Sequence, residues 1–185
     1  MRKEIKFSGF GGQGIVLMGN IAARASDIYD GKNAIFTPSY GPEARGGAAS
    51  SNVVISDDEI DYPYVTKPDV LVAMSQEAYE KYAPMLKDGG LLIIDEDLVK
   101  LKNGEGKVAK VPATKIAEGL GKRIVANIVM LGFFTAVTKL ISYEAIKKAV
   151  LESVPPKFKE LNEEALDKGY ERGKKVKDGK NGKMA

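Results

Sequence analysis

A glycine-rich stretch near the start of the chain carries the clearest chemical signal in the sequence. Gly9, Gly11 and Gly14 have the Gly-x-Gly-x-x-Gly spacing of strand–turn–helix units that bind phosphates. Glycines let the backbone turn tightly and approach a ligand, while the free N–H groups of a helix start favour an anion. The same glycines would also allow a strand to pack closely on a helix. The motif alone therefore leaves a phosphate site, a partner contact and a packing role open.

The residue types that are missing narrow the chemistry. The chain of 185 residues contains neither Cys nor His. It therefore cannot itself hold an iron–sulfur cluster or a usual zinc site, and it has no imidazole base and no Ser-His or Cys-His nucleophile pair. We expect no catalytic residue and no metal site in this chain. Any reaction would need carboxylates, Lys, Tyr, a bound cofactor or another chain.

A second unusual stretch runs from 38 to 48 and follows a predicted strand over 33–37. It is rich in turn formers and small residues, and it contains Tyr40, Glu43 and Arg45. Ligands of open α/β sheets bind outside the carboxyl ends of the strands, so both stretches would meet at one edge. A surface turn with a local ion pair is the simpler interpretation. The small, glycine-rich composition favours contact with a ligand or a partner chain.

A dinucleotide site fits the sequence poorly. A nicotinamide-binding unit carries an acid at the end of its second strand, where it holds the ribose hydroxyls. Here the predicted second strand ends at Thr37, Asp27 and Asp30 precede it, and Glu43 lies six residues beyond it. Arg45, the candidate for a 2′-phosphate, is eight residues beyond. NAD(P) binding is therefore disfavoured.

The alternation of apolar runs with helical periodicity predicts the fold class. We expect a single α/β domain over residues 1–170, with a Rossmann-like open sheet that is largely parallel and has helices on both faces. The first strand, helix and second strand form a predicted βαβ unit, and Asn127 is the predicted N-cap of an apolar helix that runs to about Ile141. Predicted strands cover 3–8, 33–37, 52–56, 69–73, 91–95 and 107–112. The other predicted helices cover 14–30, 76–86, 114–118, 143–152 and 157–170.

Composition and charge favour a cytoplasmic protein without membrane or nucleic-acid partners. The sequence is 44% hydrophobic and 29% charged, and it has no run of 18 apolar residues and no signal-like N-terminus. Five lysines and one aspartate give residues 173–185 a charge of +4, which leaves the rest of the chain near −1 because the total is +3. We expect residues 171–185 to form a basic, disordered tail. A body without a basic face is a poor nucleic-acid binder.

The two loops together resemble the gamma subunit of 2-oxoacid:ferredoxin oxidoreductases. The resemblance rests on the sequence at 9–14 followed by Tyr-Gly-Pro-Glu-Ala-Arg-Gly-Gly at 40–47, and it is supported by 55–60 and by Ala-Asn-Ile at 126–128. It spans about Lys3 to Val154. The sequence at 39–47 looks most like the 2-oxoglutarate type, although the branched-chain and pyruvate types share the fold and part of the pattern.

The resemblance implies a specific role. Such enzymes decarboxylate a 2-oxoacid on thiamine diphosphate, pass electrons through iron–sulfur clusters to ferredoxin and form an acyl-CoA. It implies alpha, beta and ferredoxin-like delta partners that hold the diphosphate and the clusters, with no cofactor held by this chain alone and with ferredoxin met only indirectly. The glycines would give close backbone approach, Gln13 an amide and Arg45 a cation for a CoA phosphate or an adjoining chain. The residues expected to face the region where CoA enters are Gly9, Gly11, Gly12, Gln13, Gly14, Ser39, Tyr40 and Arg45.

Two other functions stay open at this point. A stand-alone Rossmann-like enzyme or nucleotide-binding module would form a tight dinucleotide complex by itself. An adaptor with the same fold would join a complex without being needed for its reaction.

Overall fold

The described part of the chain folds into six strands and six helices. The computed structural model describes residues 1–39, 48–102 and 106–178. A π-helical turn, Ala25–Tyr29, extends α1, and short 3₁₀ turns lie at Ala83–Met85, Arg123–Val125 and Pro156–Phe158. The strands are β1 Arg2–Phe10, β2 Asn33–Ser39, β3 Ala48–Ser56, β4 Val70–Ala73, β5 Leu91–Asp95 and β6 Lys107–Val111. The helices are α1 Ile15–Arg24, α2 Gln76–Tyr82, α3 Ala113–Gly119, α4 Ala126–Thr138, α5 Tyr143–Ser153 and α6 Lys159–Asp178.

The strands form one open sheet in the order β2-β3-β1-β4-β5-β6. The pairs β1–β4, β4–β5 and β5–β6 are parallel, whereas β3 is antiparallel to both β1 and β2. Five strands therefore run in one direction, which confirms the prediction of a largely parallel sheet. In the predicted βαβ unit, however, β2 does not lie beside β1, because β3 is inserted between them.

The position of β2 at the edge of the sheet explains why the predicted end of this strand was wrong. The strand was expected to stop at Pro38, but it continues through Pro38 to Ser39 and pairs only with β3. Proline lacks a backbone N–H and is tolerated in an edge strand, where one side of the strand needs no ladder bond.

Apolar layers cover both faces of the sheet, as predicted. On one face α1, α4, α5 and α6 pack in a large cluster, in which the rings of Phe7 and Phe134 lie 5.2 Å apart. On the other face α2 places Tyr79 and Tyr82 against Leu71 and Leu92. Burial of these two layers explains why β4 and β5 are continuous apolar runs. The result is the expected single α/β domain.

Helix α4 lies at the centre of the larger layer. Every residue from Ala126 to Ala136 is buried, as expected for a helix that is apolar all round. The predicted N-cap was wrong, because Val125 occupies the cap position and Asn127 lies in the first turn. Glycines bring α4 and α6 close together. A Cβ on Gly132 would overlap the Leu166 carbonyl, and one on Gly169 would overlap the Val129 carbonyl.

Helix α6 is longer than predicted. It ends at Asp178 instead of near Tyr170, and Gly173 still packs against Phe133 and Ala136 of α4. This contact explains the extension, because it continues the close approach that Gly169 begins. Residues 171–178 are therefore helical and do not belong to a disordered tail, whereas residues 179–185 lie outside the described part of the chain, so disorder there stays a prediction. None of the helices within the described ranges is long and apolar enough to cross a membrane.

Candidate functional site

The glycine loop links the end of β1 to the start of α1. Gly12 and Gly14 have φ angles of +93° and +75°, in the left-handed region that disfavours other residues. Gly14 is constrained further, because a Cβ there would overlap the side-chain amide of Asn127. That amide donates a hydrogen bond to the Gly14 carbonyl at 3.5 Å. The loop conformation therefore requires glycine at both positions.

Gln13 holds the loop from within. Its Oε1 accepts a hydrogen bond from the Phe10 N–H at 2.6 Å, and its Nε2 donates to the Met74 carbonyl at 2.9 Å. Met74 follows β4 directly, so the side chain bridges the ends of two neighbouring strands. Gly9 is buried beneath it, and a Cβ there would overlap Gln13 Oε1 and lie 2.8 Å from Ile15 Cδ1. Gly9 and Gln13 thus shape the loop. Contrary to the expectation from the sequence, the Gln13 amide is already bonded within the protein and is not free for a ligand.

The outer part of the loop is an exposed backbone surface. Gly11 and Gly12 are exposed, and a Cβ on Gly11 would meet nothing within 4 Å. The first hydrogen bond of α1 runs from the Met18 N–H to the Gly14 carbonyl at 3.0 Å, and no side chain caps the helix. The N–H groups of residues 15–17 therefore have no helical partner. This end of the loop offers several backbone donors to an anion or a carbonyl group.

Two cavities lie on either side of the loop. The first, of about 390 Å³, extends from Gly12 and Gly14 past Leu17 to Phe158. The second, of about 280 Å³, is lined by Gln13, Met74 and Thr114 among others. Gly12 and Ile124 line both cavities. The glycine turn and the segment that contains Ile124 therefore form the wall between the two cavities.

The sequence interpretation missed the segment 122–124. Lys122 lines the first cavity and Arg123 the second. Within the described ranges Arg123 forms one ion pair, at 3.8 Å from Glu118, and its side chain stays 65% exposed. Two adjacent basic residues directly before a buried apolar helix, in a body of nearly neutral charge, are the signal that could have identified the segment. Each cavity thus has a cation beside the backbone donors of the loop.

The other predicted residues lie at this edge or outside the described part of the chain. Ser39 ends β2, is exposed and is in register with Ser50 of β3. Phe10, at the end of β1, pairs with Ala48 at the start of β3. The ends of β2 and β3 that flank residues 40–47 therefore lie at the same edge of the sheet as the glycine loop. Tyr40 and Arg45 lie outside the described residues, so their roles stay predictions.

Buried ionisable groups near this edge have structural partners. Asp95, at the end of β5, is fully buried and accepts hydrogen bonds from Thr114 Oγ1 at 2.6 Å and from its N–H at 2.9 Å. Burial raises the pKa of the Asp95 carboxyl, which these bonds partly offset. The carboxylate thereby fixes the start of α3. No group of three or more His, Cys, Asp or Glu residues that could hold a metal occurs in the described ranges.

The geometry also argues against dinucleotide binding. In open α/β sheets the ligand crevice lies where the crossovers diverge to opposite faces. Here that point is between β1, followed by α1 on one face, and β4, followed by α2 on the other. The Gln13 side chain spans this gap. On the side of β1 away from β4 the neighbouring strand is the antiparallel β3, so no parallel strand on that side ends in a ribose-binding acid.

Comparison with known proteins identifies relatives along almost the whole chain. The family model of pyruvate ferredoxin/flavodoxin oxidoreductases matches residues 4–172. The 2-oxoglutarate synthase subunit KorC of Methanocaldococcus jannaschii is 53% identical over 180 residues, which cover 95% of this chain and 96% of that protein.

Two solved structures share the fold. The gamma subunit of a keto/oxoacid ferredoxin oxidoreductase from Geobacter sulfurreducens superposes with a TM-score of 0.86 at 48% identity, covering 94% of this chain and 97% of that one. The 2-oxoglutarate:ferredoxin oxidoreductase of Magnetococcus marinus, solved with 2-oxoglutarate, coenzyme A and succinyl-CoA bound, gives a TM-score of 0.75 at 25% identity. That match covers 96% of this chain but only 30% of the Magnetococcus chain. The resemblance to gamma subunits is thereby confirmed, and the chain belongs to the pyruvate ferredoxin/flavodoxin oxidoreductase family.

Proposed function

We propose that this chain is the gamma subunit of a 2-oxoacid:ferredoxin oxidoreductase. The complex converts a 2-oxoacid, CoA and oxidised ferredoxin to acyl-CoA, CO₂ and reduced ferredoxin, and 2-oxoglutarate is the favoured substrate. The support for that substrate is the 53% identity to a 2-oxoglutarate synthase subunit along nearly the full length of both chains. Partner alpha, beta and ferredoxin-like delta subunits hold thiamine diphosphate and the iron–sulfur clusters, in keeping with the lack of Cys and His in this chain.

The exposed edge of the glycine loop supplies one wall of the region where CoA enters. The observation that carries this assignment is the combination of the open Gly11–Gly12 backbone with Arg123, which lines the second cavity together with Gly12. CoA carries a diphosphate and a further phosphate, and both backbone N–H groups and basic side chains bind phosphate oxygens. Ser39 adds a hydroxyl at the same edge. Tyr40 and Arg45 stay as candidates from the sequence.

The chain has a structural role in the reaction. Asp95, the carboxylate at the end of β5, is buried and bound to Thr114. Gln13 is committed to the loop itself. The groups that remain free at this edge bind and position, and the partner subunits supply the chemistry.

Calorimetry separates this function from a stand-alone nucleotide-binding enzyme. The purified chain is titrated with NAD(H), NADP(H) and CoA. We expect no measurable NAD(H) or NADP(H) binding, because Gln13 spans the crevice that a dinucleotide would need. Micromolar affinity for NAD would contradict the proposal.

A pull-down from native lysate identifies the complex. Captured chains are identified by mass, and the eluate is assayed for CoA-dependent viologen reduction with 2-oxoglutarate, pyruvate and branched-chain 2-oxoacids. We expect thiamine-binding and Cys-rich partners and the highest rate with 2-oxoglutarate. Partners without these two kinds of chain would overturn the assignment. If this chain joins the complex but the other subunits reduce viologen equally well without it, the chain is an adaptor.

The cytoplasmic location stays a proposal, which cell fractionation tests.

A further inference from the structure

An apolar groove extends from the glycine loop along the starts of α4 and α6. It is the larger of the two loop-side cavities, and its apolar walls include Leu17, Ile124, Phe158 and Leu161. Ile124 is 74% exposed and Phe158 40% exposed. Among the described residues, Ile124 is the most exposed of the large apolar side chains. A contiguous apolar surface of this kind is typical of an interaction site.

Local structure alone does not explain the exposure of Ile124. The residue lies in the 3₁₀ turn Arg123–Val125, where the neighbouring Val125 is buried at 4% exposure and packs into the main core. The turn is therefore anchored by Val125 and presents Ile124 outward. Any residue would be accommodated at that outward position, and a polar one would be better solvated in an isolated chain.

Among the described residues, the charged residue that lines the groove is basic. Lys122 is a lining residue, and Nζ of Lys157 lies 4.9 Å from the ring centroid of Phe158. Within the described part of the chain, none of the residues that line the groove is Asp or Glu. A complementary surface would combine apolar side chains for the groove with carboxylates at its border.

Two observations indicate that the occupant is another protein chain of the same complex. The groove shares Gly12 with the proposed CoA-facing edge, so a subunit that completes that edge lies against the groove as well. In the Magnetococcus protein the part equivalent to this chain makes up only 30% of a longer chain. That relative therefore carries this domain joined to further protein, whereas the Methanocaldococcus subunit, of which 96% is matched here, must bind its counterpart through a surface.

We propose that the groove around Ile124 is the docking surface for the partner subunit that completes the CoA-facing edge, and that this subunit contributes an apolar segment flanked by carboxylates. The inference rests on the proposed function and adds the residues that join the subunits. Ile124 and Phe158 form the apolar contact. Lys122 and Lys157 orient the partner through its carboxylates.

The test compares two isoleucines of similar exposure. Ile124→Asp places a charge in the groove. The control, Ile28→Asp, places the same charge outside the groove, at a side chain that is 56% exposed in the turn after α1. Each full-length variant is measured by biolayer interferometry against the remaining subunits of the complex. We expect Ile124→Asp to raise the Kd by about tenfold or more, the usual effect of a central apolar contact. Ile28→Asp should change it less than about twofold, as is usual away from the interface core.

Further readouts separate this inference from the proposed function. Thermal unfolding of the isolated chains should be the same for both variants and the wild type, because both side chains are exposed. Lys122→Glu should weaken subunit binding more at low salt than at high salt, because salt screens the charges. A purely apolar contact would not show this dependence.

Several outcomes would overturn the inference. Unchanged binding of Ile124→Asp, or equal weakening by both variants, would exclude the groove as the docking surface. If Ile124→Asp assembles normally but raises the KM for CoA, the groove binds the co-substrate and not a subunit. If the isolated wild-type chain sediments as a dimer and the Ile124→Asp variant as a monomer, the groove binds a second copy of this chain. Failure of the wild-type chain to bind these subunits would instead refute the proposed function, and the docking surface with it.

Discussion

Replacing Gly11 with alanine tests the contacts that the glycine loop makes in the complex without disturbing the folding of the chain. A Cβ at this position meets nothing within 4 Å, and Gly11 has no positive φ angle. The variant should therefore fold as well as the wild type, with a gain of up to about 1 kcal/mol because the unfolded chain loses freedom. The added methyl group lies on the exposed side of the loop, where the proposal places a CoA phosphate or a partner surface.

Two neighbouring glycines provide the comparison. Gly12→Ala also has open space, but its φ of +93° should cost about 1–3 kcal/mol in backbone strain. Gly14→Ala adds the overlap with Asn127 to a φ of +75° and should cost more than Gly12→Ala. Urea unfolding of the isolated chains should therefore rank the stabilities as Gly11→Ala, then Gly12→Ala, then Gly14→Ala.

The functional readout is the KM for CoA of the assembled complex. We expect Gly11→Ala to raise the ratio of KM to kcat by about tenfold, which corresponds to about 1.4 kcal/mol. The expected loss arises because close backbone approach is what the exposed glycine turn allows. A stable Gly11→Ala chain that assembles normally and has unchanged kcat and KM for CoA would refute the assignment of this edge.

Three further substitutions test the structural account. Lys6 is buried, donates to Asn52 Oδ1 at 2.6 Å, and has a pKa that burial lowers from 10.5 to about 8. Since the unfolded state then binds more protons between about pH 8 and 10.5, stability should rise with pH across that window by about 3 kcal/mol, and Lys6→Met should remove this rise in urea unfolding. Gly169→Ala should destabilise the chain by about 1–3 kcal/mol, because a Cβ overlaps the backbone of α4. Gln13→Ala should cost about 1–3 kcal/mol, because the Phe10 N–H and the Met74 carbonyl both lose a hydrogen bond.

Each of these substitutions has a result that contradicts it. A pH dependence that persists in Lys6→Met would show that other groups cause it. For Gly169, the control is Gly119→Ala at the end of α3, where a Cβ meets nothing within 4 Å. Equal effects of the two glycine substitutions would exclude close helix packing as the cause. Wild-type stability of Gln13→Ala would show that the loop does not depend on the bridge.

The fold was largely predictable because its main features follow from local patterns. The apolar runs at β4 and β5 and the apolar α4 indicate burial directly. The insertion of β3 between β1 and β2 was missed, since side-chain alternation does not encode strand direction or order. The end of α6 was misplaced because polar residues after Tyr170 resembled a tail, whereas Gly173 packs on α4. Such a contact depends on a helix about 40 residues earlier in the chain.

The candidate site was predictable in position but not in detail. The spacing of Gly9, Gly11 and Gly14 correctly indicated a loop at the carboxyl edge of the sheet. The hydrogen bonds of Gln13 depend on Met74, which is 61 residues away, so its structural role could not be inferred from the motif. Ile124 reaches the loop only through the packing of α4. Tertiary contacts of this range leave no periodic signal in the sequence.

The measurement that tests the central claim most directly is 2-oxoglutarate- and CoA-dependent viologen reduction by the complex reconstituted with and without this chain. The account predicts activity only when the chain is present. Adding the wild-type chain should restore the activity fully, and adding the Gly11→Ala chain should restore it only in part. Full activity of the remaining subunits without this chain would contradict the account.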